Sequence, residues 1–117
     1  MSKHKDDKTL SLSMILSSSS LSDPFLISTI DLSCRHLCKF VPESLILLQN
    51  VHNINLAGNQ RLFSDKYTTN DSIRKIFLDL SHLVSLRELN LSSNNLSTFP
   101  ENLSQNAFSS LEILNLS

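Results

Sequence analysis

Leu86-Arg-Glu-Leu89-Asn-Leu91-Ser-Ser-Asn94-Asn-Leu96 sets apolar residues at its first, fourth, sixth and last positions, with an asparagine shortly before the end. The alternation Leu89-Asn90-Leu91 has period two. That predicts a short strand with its leucines turned inward and its polar residues outward. A partial copy, Leu111-Glu-Ile-Leu114-Asn-Leu116-Ser117, lies 25 residues further on. An earlier copy reads Val51-His-Asn-Ile54-Asn-Leu56-Ala-Gly-Asn59, with Leu62 displaced by one place. The first reads Ile27-Ser-Thr-Ile30-Asp-Leu32-Ser-Cys-Arg35-His-Leu37 and begins 24 residues before Val51. Periods of about 20–29 residues belong to stacked strand-and-return units. One such strand cannot bury its own apolar face, so neighbouring units must build a parallel sheet over a shared core. The pattern therefore predicts an α/β chain with a short parallel sheet.

From Val51 to Leu86 is 35 residues, so this unit carries an insertion of about ten. Ile73, Ile76, Phe77, Leu80 and Leu83 recur there at helical spacing and form one apolar stripe. Asn70, Asp71 and Ser72 are capping candidates at its start. Gln60 to Asn70 then reads as a polar loop. Asn59 and Asn94 share one place in the motif, where a buried amide can bond backbone groups left unpaired as the strands end. Arg35 stands there in the first copy and would be costly to bury. The first unit is therefore expected to be distorted or exposed at its turn, with Cys34 a weak substitute for the asparagine.

Pro42 and Pro100 follow the motif leucine at similar distances, suiting an extended or turning return segment. Phe40 and Phe99 are expected to form a row beneath the leucines. Leu45, Leu47 and Leu48, then Leu103 and Phe108, are expected to fill the back of the units through short helical turns. Residues 1–22 are low-complexity and serine-rich and read as disordered or as a poorly formed cap. Residues 23–117 read as one repeat domain of about four units, the last truncated.

These motifs resemble the leucine-rich repeat family over about residues 25–117. The units are similar to its short intracellular type, with Phe99-Pro-Glu-Asn-Leu103 in the return segment. They lack the Gly-x-Ile-Pro return of plant receptor ectodomains and any cysteine-rich flanking cap. The resemblance implies a right-handed solenoid, with the parallel sheet on its concave face and short helices or turns on its convex face. It also implies that protein partners are recognised on the concave sheet.

Composition narrows the function classes. Leucine and serine each make up roughly a fifth of the chain, well above average usage. A single glycine leaves no glycine-rich phosphate loop. The net charge of −1 gives no reason to expect nucleic acid or an anionic membrane as the main partner. No stretch is long and apolar enough to span a bilayer. Lys3, His4, Lys5 and Lys8 before Leu10 to Leu16 loosely resemble a signal peptide, but Asp6, Asp7 and the serines interrupt the pattern. We expect an intracellular chain, cytoplasmic or nuclear, with Cys34 and Cys38 as reduced thiols. Cys34-Arg-His36-Leu-Cys38 has no second ligand pair, so no metal site is expected. No cofactor or small-molecule substrate is expected either. Asn-Leu-Ser at Asn90, Asn95, Asn102 and Asn115 fits a glycosylation acceptor but follows from the repeat itself. The serines and histidines show no nucleophile–base spacing or supporting signature.

The outward residues of the strands should line up in rows. Asp31, Asn55, Asn90 and Asn115 form the central row. Thr29, Asn53, Glu88 and Ile113 form the row before it, flanked by His52, Arg87 and Glu112. Ser33, Ala57, Ser92 and Ser117 form the row after it. These rows either bind a partner or are merely solvated strand faces. Arg87 is the best single anchor, because interface hot spots favour arginine. The expected function is a protein–protein interaction module, a scaffold rather than an enzyme. The alternative is a regulatory or targeting segment of a longer kinase or GTPase whose catalytic domain lies beyond residue 117. The last motif stops at Leu116-Ser117, so a bare apolar edge and a continuing chain are expected.

Overall fold

The computed structural model describes residues 8–19, 23–64, 66–96 and 108–116. They form a mixed α/β structure with two short parallel sheets. In chain order the elements are β1 (Thr9–Leu10), α1 (Leu12–Ser19), a 3-10 turn (Pro24–Leu26), β2 (Thr29–Asp31), β3 (Lys39–Phe40), β4 (Asn53–Asn55), α2 (Gln60–Phe63), α3 (Asn70–Ser81), β5 (Glu88–Asn90) and β6 (Ile113–Asn115). The larger sheet has the order β2-β4-β5-β6 and the smaller pairs β1 with β3.

Each strand of the larger sheet comes from one copy of the leucine motif, and the pairing keeps the copies in register. Ile30 lies opposite Ile54, Ile54 opposite Leu89, and Leu89 opposite Leu114. Backbone bonds extend the ladder past both strand ends in the same way at each step. Leu32 N donates to Asn55 O, Leu56 N to Asn90 O and Leu91 N to Asn115 O, at 2.9, 2.9 and 2.7 Å. Side chains alternate across a strand, so the fourth and sixth motif residues point together into one core. Ile27, Ile30, Leu32, Val51, Ile54, Leu56, Leu86, Leu89 and Leu91 are all buried there.

Helix α3 closes the core with the predicted stripe: Ile73, Ile76, Phe77 and Leu80 are buried, as is Leu83 just beyond its end. Its cap differs from the candidates Asn70, Asp71 and Ser72. Thr69 takes the position, and its Oγ1 accepts from Ser72 N at 3.1 Å. Asn70 already lies inside the helix, and the hydroxyl one residue earlier meets the free N–H of the first turn.

Three further expectations are corrected. Gln60–Asn70 is not wholly a loop, because Gln60–Phe63 is helical with Leu62 and Phe63 buried. The ring of Phe63 meets Phe77 edge-on at 6.0 Å. The apolar pair folds the start of the insertion inward, which outweighs its polar surroundings. Of the two readings of residues 1–22, disorder or a poorly formed cap, disorder does not hold for residues 8–19. There β1 and α1 pack Leu10 and Ile15 into the common core, so the boundary at residue 23 does not divide it. Serines occupy the outer face of α1 and dominate the composition, while the few apolar residues carry the packing. On the back of the units, Leu45 and Leu48 are buried in a segment of turns, but Leu47 is exposed rather than filling the core. Phe40 is half-buried against the core. Phe99, Pro100 and Leu103 lie outside the described residues. No helix among the described residues is long and apolar enough to cross a membrane.

Candidate functional site

The polar face of the larger sheet gathers the predicted residues. Asp31, Asn55, Asn90 and Asn115 are register partners in one row, and Thr29, Asn53, Glu88 and Ile113 in the next. His52, Arg87 and Glu112 form a third row at the strand entrances. His52 N donates to Ser28 O, Arg87 N to His52 O and Glu112 N to Arg87 O, each at 2.8 Å. Six of the nine predicted partner-binding residues, Asp31, Asn53, Asn55, Glu88, Asn90 and Asn115, line one groove, and His52, Arg87 and Glu112 stand at the strand entrances outside its lining. Asp31, His52, Arg87, Glu88, Glu112 and Asn115 are exposed, and Asn53, Asn55 and Asn90 half-buried. The strands form the floor of a groove of about 300 Å³ in which Asp31 and Glu88 supply the charge. In the row after the centre, Ser33, Ala57 and Ser92 are half-buried at the strand exits, and Ser117 lies outside the described residues.

The central row also has a local duty that sequence reasoning missed. Asp31 Oδ1 accepts from Ser33 N at 3.1 Å and from the Ser33 hydroxyl at 2.7 Å. Asn55 Oδ1 accepts from Ala57 N and Asn90 Oδ1 from Ser92 N, both at 3.0 Å. These side chains turn the chain out of each strand, a known habit of aspartate and asparagine. The recurring Asp/Asn-Leu-Ser/Ala tripeptide was the available signal. Bonds from Ser33 hold the Asp31 carboxyl below its ordinary range.

Beneath this face lies a buried amide ladder. Asn59 Nδ2 donates to Leu32 O and Leu56 O at 2.9 and 3.0 Å, and Asn94 Nδ2 to Leu56 O and Leu91 O, both at 3.0 Å. Asn59 Oδ1 accepts from Arg35 N and Leu37 N, and Asn94 Oδ1 from Asn59 N. Each asparagine therefore ties its own turn to the turn before it. Arg35 itself stays exposed, so the first turn is served by Asn59 from the next copy, and Cys34 does not substitute. Cys34, Gly58 and Ser93 occupy one place in successive turns, with φ of 54°, 72° and 59°. Only glycine is free of strain there. At position 58 a Cβ would also come within 2.8 Å of the Cys34 sulfur. Cys34 and Cys38 are both free and exposed.

Two further features were not visible in sequence. Asp79 on α3 is buried, and its two oxygens accept from Glu43 N and Leu45 N, both at 3.1 Å. Burial raises its carboxyl above the ordinary range despite those two bonds. Beside the strand exits, His36, Gly58, Gln60, Arg61, Tyr67 and Ser93 line a pocket of about 370 Å³. The Arg61 guanidinium lies 5.2 Å from the centre of the Tyr67 ring. No protein-family model, curated protein or solved structure matches the chain.

Proposed function

We propose that this chain is a leucine-rich repeat solenoid that binds another protein on the open, polar face of its larger sheet. One observation carries the reading. Four motif copies pair in parallel and in register, so polar residues 24–35 residues apart in sequence form rows on one surface. The asparagine ladder beneath holds the turns in place. Such a surface keeps its shape without a partner, which lowers the ordering cost of binding. The half-buried Asn53, Asn55 and Asn90 contribute adaptable hydrogen bonding, and the exposed Arg87, Glu88 and Glu112 contribute charge at the rim. The binding reading assigns no catalytic residue.

A photo-crosslinking amino acid placed at Asn53, and in a second variant at Glu88, tests the proposal in cells. One and the same adduct should form from both positions. It should be absent when the probe stands at Arg74, an exposed position on α3. Thr29→Arg, at an exposed position beside Asn53 in the same row, should abolish the adduct while leaving the unfolding midpoint near that of the parent. An adduct that forms equally from Arg74, or that survives Thr29→Arg, would overturn the assignment of this face.

A further inference from the structure

The insertion brings chemistry to the edge of the sheet that the strands lack. Leu62 and Phe63 anchor α2 in the core, while Arg61 and Gln60 beside them stay exposed. The chain then turns back, with Tyr67 N donating to Ser64 O at 3.0 Å and Thr68 N to Ser64 O at 3.1 Å. This turn sets the half-exposed Tyr67 ring against the Arg61 guanidinium, a cation–π arrangement that restrains a long flexible side chain. A guanidinium stacked by its face keeps its N–H edges free for a planar anion. His36, Gln60 and Ser93 complete the pocket, and no carboxylate stands among its described lining residues.

The neighbouring sheet groove has the opposite character. Its described lining includes Asp31 and Glu88 and no lysine or arginine. Asp31, Asn55 and Asn90 end their strands, and His36, Gly58 and Ser93 of the pocket follow them in the same motif copies. A segment running along the strands therefore meets carboxylates over the sheet and a fixed guanidinium beyond the strand exits.

We propose that this pocket receives an acidic side chain of the partner, from an extended peptide that continues off the open sheet face past the strand exits. The inference rests on the sheet face as the binding surface and names the charge its partner carries at that end. Arg61 makes a bidentate pair with the carboxylate, the arrangement for which a preorganised guanidinium is suited. Tyr67 is a positioning residue that acts through Arg61. Complementary charge also discriminates against partners with a basic residue at that place.

The test is a titration of the full isotope-labelled chain with three short peptides, followed by amide chemical shifts. The probes are acetyl-Gly-Glu-Gly-amide, acetyl-Gly-Gln-Gly-amide, and acetyl-Gly-Gly-Gly with a free terminal carboxylate. The glutamate peptide should move the amides of His36, Gly58, Arg61 and Tyr67 in a saturable way. The glutamine peptide should bind about tenfold more weakly, as loss of a charge-assisted pair implies. Arg61→Gln should weaken the glutamate peptide by a similar factor. Tyr67→Phe should retain binding that Tyr67→Ala loses, because the ring rather than the hydroxyl holds the guanidinium. Equal shifts from the glutamine peptide, shifts confined to other surfaces, or tighter binding of the free terminal carboxylate would each overturn the proposal. The peptides read the pocket alone and the crosslinks read the sheet face alone, so failure of one is distinguishable from failure of the other.

Discussion

The two outer strands of the larger sheet, β2 and β6, each have one strand neighbour, yet their motif residues differ sharply. Ile30 and Leu32 are 6% and 1% exposed, while Leu114 and Leu116 at the same motif places are 38% and 39% exposed. The sequences are alike, so the difference arises from what lies alongside. Beyond β2, the N-terminal segment supplies β1, which pairs with β3 of the same motif copy. It also supplies Leu10 and Ile15 to the core. No described element lies along the outer side of β6. A leucine motif specifies which residues turn inward, but burial comes from the neighbouring unit.

The sharpest way to break this comparison is to damage the cover over β2. Ile15→Asp places a charge where the side chain is 1% exposed, and should cost about 3–5 kcal/mol in urea unfolding. Leu114→Asp on β6 should cost well under half of that. Near-equal losses would show that α1 contributes nothing special to that end of the sheet.

A milder pair compares the strands directly. Leu91→Ala removes a fully buried side chain and should cost about 2–5 kcal/mol. Leu116→Ala, at the same motif place on the uncovered strand, should cost about 1 kcal/mol or less, since little cavity can form at an exposed site. Denaturation midpoints of both variants at constant m-value measure the ratio. A ratio near one would mean that β6 is covered in solution.

Much of this was legible in the residues. The 24- and 25-residue spacings gave the strands, their parallel pairing and the shared rows. The period of 3.6 gave α3. The buried role of Asn59 and Asn94 followed from their place at strand ends. What escaped depends on contacts that periodicity does not encode. The twelve residues from Lys8 to Ser19 contain five serines, and composition outvoted Leu10 and Ile15, whose value appears only when the core is assembled. The insertion looked polar because Leu62 and Phe63 are only two residues in it. The Arg61–Tyr67 pocket and the Asp79 bonds join residues through folding rather than through motif spacing.

The smallest effect separates two carboxylates, the exposed Asp31 and the buried Asp79. Asp79 has a raised folded pKa, so its contribution to stability is fully present below the ordinary 3.8 and is lost as pH rises through the folded value. Asp31 has a lowered folded pKa, so its contribution is present above 3.8 and is lost as pH falls through its folded value. Solvent screening keeps the Asp31 effect small. Carboxyl-carbon titration should place Asp79 above 3.8 and Asp31 below it, and Asp79→Asn should remove the loss of stability with rising pH attributed to Asp79. The reverse order of the two titrations would contradict the burial assigned to Asp79.

Asp79 has a consequence for how the molecule comes apart. It reaches from the insertion back to Glu43 and Leu45, 36 and 34 residues earlier. In a stack where each unit touched its neighbour only through strands, units could fray one at a time from the uncovered edge. A carboxylate that closes the backbone of the preceding unit makes two of them open together. Native-state hydrogen exchange should therefore find the Glu43 and Leu45 amides protected to the same degree as α3, as one cooperative block rather than two.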